Sequence, residues 1–146
     1  MGPALIKRVL LIAGQVILAA IFIVAGYAKL REPWPNFAVS INSFKMVPET
    51  WLEPMARYVP WAELLLGLAI LSGFLLRWSA LIASLVLTVF FAVLIRAWSL
   101  GMQVDCGCFG SGEGPLGPLR LAEEALMLAV GVAVTIAAFR RAARSA

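Results

Sequence analysis

The sequence predicts an all-α integral membrane protein, a four-helix bundle with a short amphipathic segment between helices 1 and 2. Three observations predict it. Hydrophobic residues fill 62% of the 146 positions and charged residues only 14%, and mean hydropathy is +0.94, whereas soluble domains carry about 25% charged residues. The apolar residues fall in runs long enough to cross a hydrocarbon core as helix. The bases cluster at the ends of these runs, as topology signals do, so the formal net charge of +4 gives no reason to expect a nucleic-acid partner. The bilayer is the partner the composition requires, and by length residues 1–146 read as a single transmembrane domain.

The first span, about 9–28, follows Lys7-Arg8 and ends before Lys29. At about 1.5 Å per residue it crosses a core of about 30 Å. It is too long for a signal-peptide core and lacks a clear cleavage site, so it reads as an uncleaved anchor. Residues 29–58 are more polar and are interrupted by Pro33, Pro35, Pro48 and Pro54, which argues against one continuous helix. Phe37, Val39, Ile41, Phe44 and Met46 make the segment too apolar for a free linker, so it is expected to lie on the membrane or cap the bundle.

The second span, about 60–76, opens at Pro60, a residue suited to a first helical turn. Glu63 lies about one turn inside, where an acid needs a polar interior or the headgroups. The third span, about 78–98, is separated from the second by little more than Arg77, which implies antiparallel neighbours. A glycine-rich loop, 99–117, leads to the fourth span, about 118–139, which opens at Pro118. Arg120 and Glu124 are four apart and can meet on one helix face, and Glu123 and Glu124 complement the helix dipole. No internal repeat is visible.

Four spans place both termini on one side. The tails and the link between spans two and three concentrate Lys7, Arg8, Arg77, Arg140, Arg141 and Arg144 without acids, so both termini are expected in the cytoplasm and the 99–117 loop outside. In a bacterial inner membrane that outer side is oxidising, and a disulfide persists there.

The loop holds the only two cysteines, in Asp105-Cys106-Gly107-Cys108-Phe109-Gly110. Cysteines at i and i+2 can reach one another through a turn, which Gly107 leaves the backbone free to make. Such a small ring makes a poor clamp, because disulfide stabilisation grows with the loop closed. A tight, accessible disulfide tends to be labile and redox-active. A structural bond and a Cu(I) site made of the two thiolates with Met102 remain as alternatives. Zinc is disfavoured, since the chain has no histidine and no third cysteine.

The topology gathers Lys29, Glu63, Arg96, Arg120, Glu123 and Glu124 at the membrane face of the cysteines. Arg96 or Arg120 beside the sulfurs would favour thiolate, and Asp105 would oppose it. A site one turn below the loop, lined by Trp61, Phe109 and apolar helix faces, can admit a quinone ring.

The cysteine motif before a last helix, Gly26-Tyr27-Ala28-Lys29-Leu30 ending the first helix, and Pro60-Trp61-Ala62-Glu63 together resemble the DoxX-like superfamily of small membrane proteins. Within it the chain is most similar to the methylamine-utilisation protein MauE group. The resemblance implies a four-helix membrane bundle concerned with periplasmic disulfide handling. It implies maturation of a disulfide-rich dehydrogenase subunit alongside a thioredoxin-like partner, with Cys106 and Cys108 as the redox pair and Lys29 and Glu63 as family-type positions. In outline the chain is also similar to vitamin K epoxide reductase, but it has C-x-C in place of C-x-x-C and no second pair to relay electrons. A thiol–disulfide redox protein is therefore expected, exchanging electrons with such a partner or with quinone. A non-catalytic assembly subunit of a membrane redox complex, a Cu(I) or small-solute transporter, and an oligomer stay open.

Overall fold

The computed structural model describes residues 2–109 and 114–146. Five helices follow one another: α1 Pro3–Arg31, α2 Trp34–Ser43, α3 Glu49–Ser72, α4 Leu76–Ser99 and α5 Pro118–Ser145. All but α2 are long and apolar enough to cross a membrane, so the molecule is a four-helix membrane bundle with one short extra segment. Its outward faces are large apolar side chains, such as Leu10, Leu65, Leu85 and Leu126, whereas the interior is rich in alanine and glycine. This suits lipid as solvent, where association depends on close backbone packing instead of apolar burial.

The second span begins at Glu49 and runs through both Pro54 and Pro60, nearly half of the helix earlier than the expected start at Pro60. A proline removes one helical hydrogen bond, but packing partners make the loss tolerable in membrane helices. Pro60 is among the most fully buried side chains. There α1 comes so near that a Cβ added to Gly26 would lie 2.7 Å from the Pro60 carbonyl oxygen and 2.8 Å from the Leu64 nitrogen. Gly67 repeats the contact two turns on, its added Cβ falling 2.8 Å from the Ile23 nitrogen. Glycine on alternate helices thus sets the α1–α3 spacing.

Arg77 does not form the link between α3 and α4, as expected from its charge; it lies inside α4. Gly73 ends α3 in the left-handed conformation, φ +77°, as a C-terminal glycine does, and Leu75, φ +45°, starts α4. Gln15 of α1 donates to the Ile70 carbonyl at 2.8 Å, which also accepts the Gly73 N–H at 3.1 Å, so the last turn of α3 is tied to α1.

Although joined by this turn, α3 and α4 share little packing. The broad interfaces are α1 with α3 and α4 with α5, and α1 also packs on α5. The order round the bundle is therefore α3, α1, α5, α4, leaving a cleft between α3 and α4. On the other side Ser84 and Thr135 share a buried hydrogen bond of 3.0 Å, and Trp78 meets Phe139 edge to face at 5.5 Å. One apolar cluster, centred on Leu18, Phe22, Ile70, Ala83 and Val134, fills the middle. A second, around Phe44, Leu94, Val104 and Leu116, encloses the two cysteines at the end away from the termini.

Candidate functional site

Cys106 and Cys108 form a disulfide with their Cα atoms 5.4 Å apart. Gly107, at φ +69°, makes the turn between them in the left-handed region, which costs glycine nothing. The loop doubles back on itself. Asp105 bridges to Pro115, and the Leu116 N–H donates to the Val104 carbonyl at 2.9 Å. This closure carries the disulfide onto the first turns of α5, where Sγ of Cys106 lies 3.8 Å from Oε1 of Glu124. Glu124 is 4% exposed.

The pair is not an accessible loop disulfide, as its glycine-rich setting suggests. Cys106 is 1% and Cys108 8% exposed. The cover is α2, whose Ser40 lies 3.5 Å from where a Cβ on Gly107 would stand. What the disulfide faces is a cavity of about 450 Å³, within the usual range for small-ligand sites, about 300–1,000 Å³. Its walls come from α1, α2, α3, α4, α5 and the cysteine loop, and are mainly aliphatic and aromatic. The exposed side chains of Leu85, Val86 and Val89 on α4 border it. Its mouth therefore opens at hydrocarbon depth.

Lys29 and Glu63 also line this cavity. The Lys29 ammonium donates to both carboxylate oxygens of Glu63, each at 2.8 Å, and lies 5.1 Å from the centre of the Phe37 ring. Taking such a pair out of water costs several kcal/mol per ion before their attraction offsets it, so a structural purpose would be served as well by apolar residues.

The remaining expected site residues fall elsewhere. Phe109 is half-buried and lines the cavity, and Asp105 is exposed. Trp61, 54% exposed, faces away from the cavity, beside an outer groove with Trp34 and Arg57. Contrary to expectation it does not wall the cavity, because Val59 and Glu63 line it and a residue two positions from each on a helix of 3.6 residues per turn lies on roughly the opposite face. Arg96 is exposed near the end of α4 and does not line the cavity. Arg120 donates to Glu123 at 3.0 Å, an i,i+3 pair, while Glu124 turns inward to Cys106. Of the bases and acids that the sequence gathers at this face, it is an acid, Glu124, that is set against the sulfur. Gly110 lies outside the described residues.

Sequence reasoning did not single out the cavity wall of Phe22, Phe90 and Met127. Helical spans that are apolar throughout give no sign of which face looks inward. The two sulfurs and a Glu124 oxygen lie within 4.8 Å of one another. Reduced to thiolates, they would offer a three-donor set to a soft cation; as a disulfide the sulfurs offer no thiolate.

Fold and site together define a small multi-pass membrane protein with a buried C-x-C disulfide beside a carboxylate at an apolar cavity. The family model "Methylamine utilisation protein MauE" matches residues 7–138, and the chain belongs to that family. A relative from Paracoccus denitrificans, methylamine utilization protein MauE, is 28% identical over 136 residues, covering 92% of this chain and 73% of that protein. No solved structure matches.

Proposed function

We propose that the protein is a membrane thiol–disulfide exchange protein whose reacting bond is Cys106–Cys108. The observation that supports this most directly is the placement of the disulfide. It closes over one residue, so it constrains the unfolded chain very little, yet it is set beside a buried carboxylate. In exchange, a partner's thiolate attacks Sγ of Cys108, the less buried of the two cysteines. The Cys106–Cys108 bond breaks, a mixed disulfide forms at Cys108, and Cys106 leaves as a thiolate that takes a proton from Glu124 when that acid is protonated. A second thiol of the partner then resolves the mixed disulfide and leaves the pair as a dithiol.

The partner that this chemistry fits is a thioredoxin-like protein. Membership in a methylamine-utilisation family supports a role in maturing a disulfide-containing enzyme outside the cytoplasm. The base-rich tails, with Arg77 in the first turn of α4 at the same end, support cytoplasmic termini, and hence a cysteine face on the oxidising side of a bacterial inner membrane.

The test is a trap. In Cys106→Ser the lone Cys108 thiolate attacks the disulfide of an oxidised partner, that disulfide breaks as the mixed disulfide forms, and no Cys106 thiol remains to complete the exchange, so the adduct should appear on non-reducing gels as a larger species that dithiothreitol releases. Cys108→Ser should trap at least tenfold less. Equal absence of adducts from both variants, with both still inserted in the membrane, contradicts exchange and leaves an assembly subunit as the better reading.

A further inference from the structure

We infer that the cavity between α3 and α4 is a quinone site, in which the Cys106–Cys108 dithiol is reoxidised by a lipid-soluble benzoquinone or naphthoquinone. The inference rests on the exchange reading above and adds the electron acceptor to it. Three features carry it.

The first is access. The disulfide is nearly closed to water beneath α2, but it forms part of the wall of a cavity bordered by Leu85, Val86 and Val89 on the lipid-facing side of α4. A reactant arriving by that route must dissolve in the bilayer. The second is stoichiometry. Forming the S–S bond releases two electrons and two protons. The carrier must be lipid-soluble and take up two of each, and a quinone does so in becoming a hydroquinone. Two S–H bonds break, one S–S bond and two O–H bonds form, and no other oxidant is needed.

The third is polarity. An acyl chain would need only apolar walls, but this cavity contains the Lys29–Glu63 pair. Glu63 occupies two of the three N–H donors of the Lys29 ammonium. The third can donate to a ring carbonyl oxygen, a hydrogen bond that strengthens as that oxygen gains electron density on reduction. Phe37 and Phe90 on the same walls offer flat faces for the ring. Glu124, against Cys106, is placed to receive the thiol proton as the bond closes.

The experiment uses the full chain in phospholipid nanodiscs with decylubiquinone as the probe. Dithiothreitol is first applied to the oxidised protein and then removed. Decylubiquinone is then added, its reduction is followed by ultraviolet absorbance, and the cysteines are counted by alkylation and mass spectrometry. The expected result is one disulfide formed per quinone reduced, with saturable kinetics. Val89→Trp, which places an indole at the mouth, and the double variant Lys29→Met/Glu63→Met, which removes the ion pair without stranding either charge, should each raise the half-saturating quinone concentration about tenfold. Reduction by dithiothreitol without reoxidation by the quinone overturns the site and leaves the exchange reading standing. So does reoxidation that never saturates and is indifferent to both variants, since the cavity then serves only lipid chains. Failure of dithiothreitol to open the disulfide overturns the exchange reading itself, and the quinone site with it.

Discussion

Glu124 lies 3.8 Å from Sγ of Cys106 and is almost wholly buried, so it is the group placed to carry the proton that accompanies each opening or closing of the disulfide. Positioned acids and bases contribute roughly 10²–10⁴-fold to such steps. Glu124→Gln should therefore slow dithiothreitol reduction of the pair about 100-fold and flatten its dependence on pH, which stopped-flow alkylation across a pH series measures. An unchanged pH profile would assign Glu124 a packing role. Gly107 makes a different demand. Its φ of +69° falls in the left-handed region, but a Cβ there would meet Ser40 at 3.5 Å, an ordinary contact. The cost of Gly107→Ala is then conformational, about 1–2 kcal/mol, and should appear as a lower melting temperature with the disulfide still formed. The C-x-C spacing and its glycine were legible in the sequence because they are local. The choice of Glu124 over Arg120 as the neighbour of the sulfur was not, since it depends on how α5 is rotated.

At the scale of elements, α2 and the α1–α3 interface position the site. The apolar residues between the first two spans fitted either a piece lying on the membrane or a cap, and α2 covers a disulfide only 1% and 8% exposed at its two cysteines. After reduction, a small membrane-permeant maleimide should label the cysteines at least tenfold faster than a bulky charged one, and comparable rates would mean that α2 does not cover them in the membrane. The α1–α3 contact was harder to see. Pro54 and Pro60 read as breaks because each removes a hydrogen bond, and only the close approach of α1 explains how the helix passes through them. Alanine at Gly26 or Gly67 would press on backbone atoms at 2.7–2.8 Å, and overpacking of this kind costs about 1–3 kcal/mol. Alanine at Gly14 meets one side-chain methyl of Val134 at 2.8 Å and no backbone atom of another helix within 4 Å, so a side-chain shift alone would relieve it. Thermal melts in detergent should rank Gly14→Ala as milder than Gly26→Ala or Gly67→Ala.

For the whole molecule, the bundle sets one bond between a covering helix, α2, and an apolar cavity bordered by exposed residues of α4. The number of spans and the end at which the polar residues gather could be read from hydropathy and charge. The cleft could not, because the short turn between α3 and α4 suggested a packed pair, whereas each helix packs chiefly on another partner. That arrangement leaves a cavity of about 450 Å³ beside the disulfide, and the Lys29–Glu63 pair sits on its wall. Reporter fusions at residues 2 and 146 should place both termini in the cytoplasm, and an extracytoplasmic signal from either would invert the proposed exposure of the cysteine face. The central claim is that Cys106–Cys108 opens and closes in function. Its most direct test is the reduction potential of the pair in the purified protein, read by alkylation and mass spectrometry across a graded thiol buffer. An exchange protein should titrate near or above about −200 mV, where catalysts of disulfide exchange are poised. A bond that stays closed below about −300 mV would be an inert structural disulfide and would contradict the account.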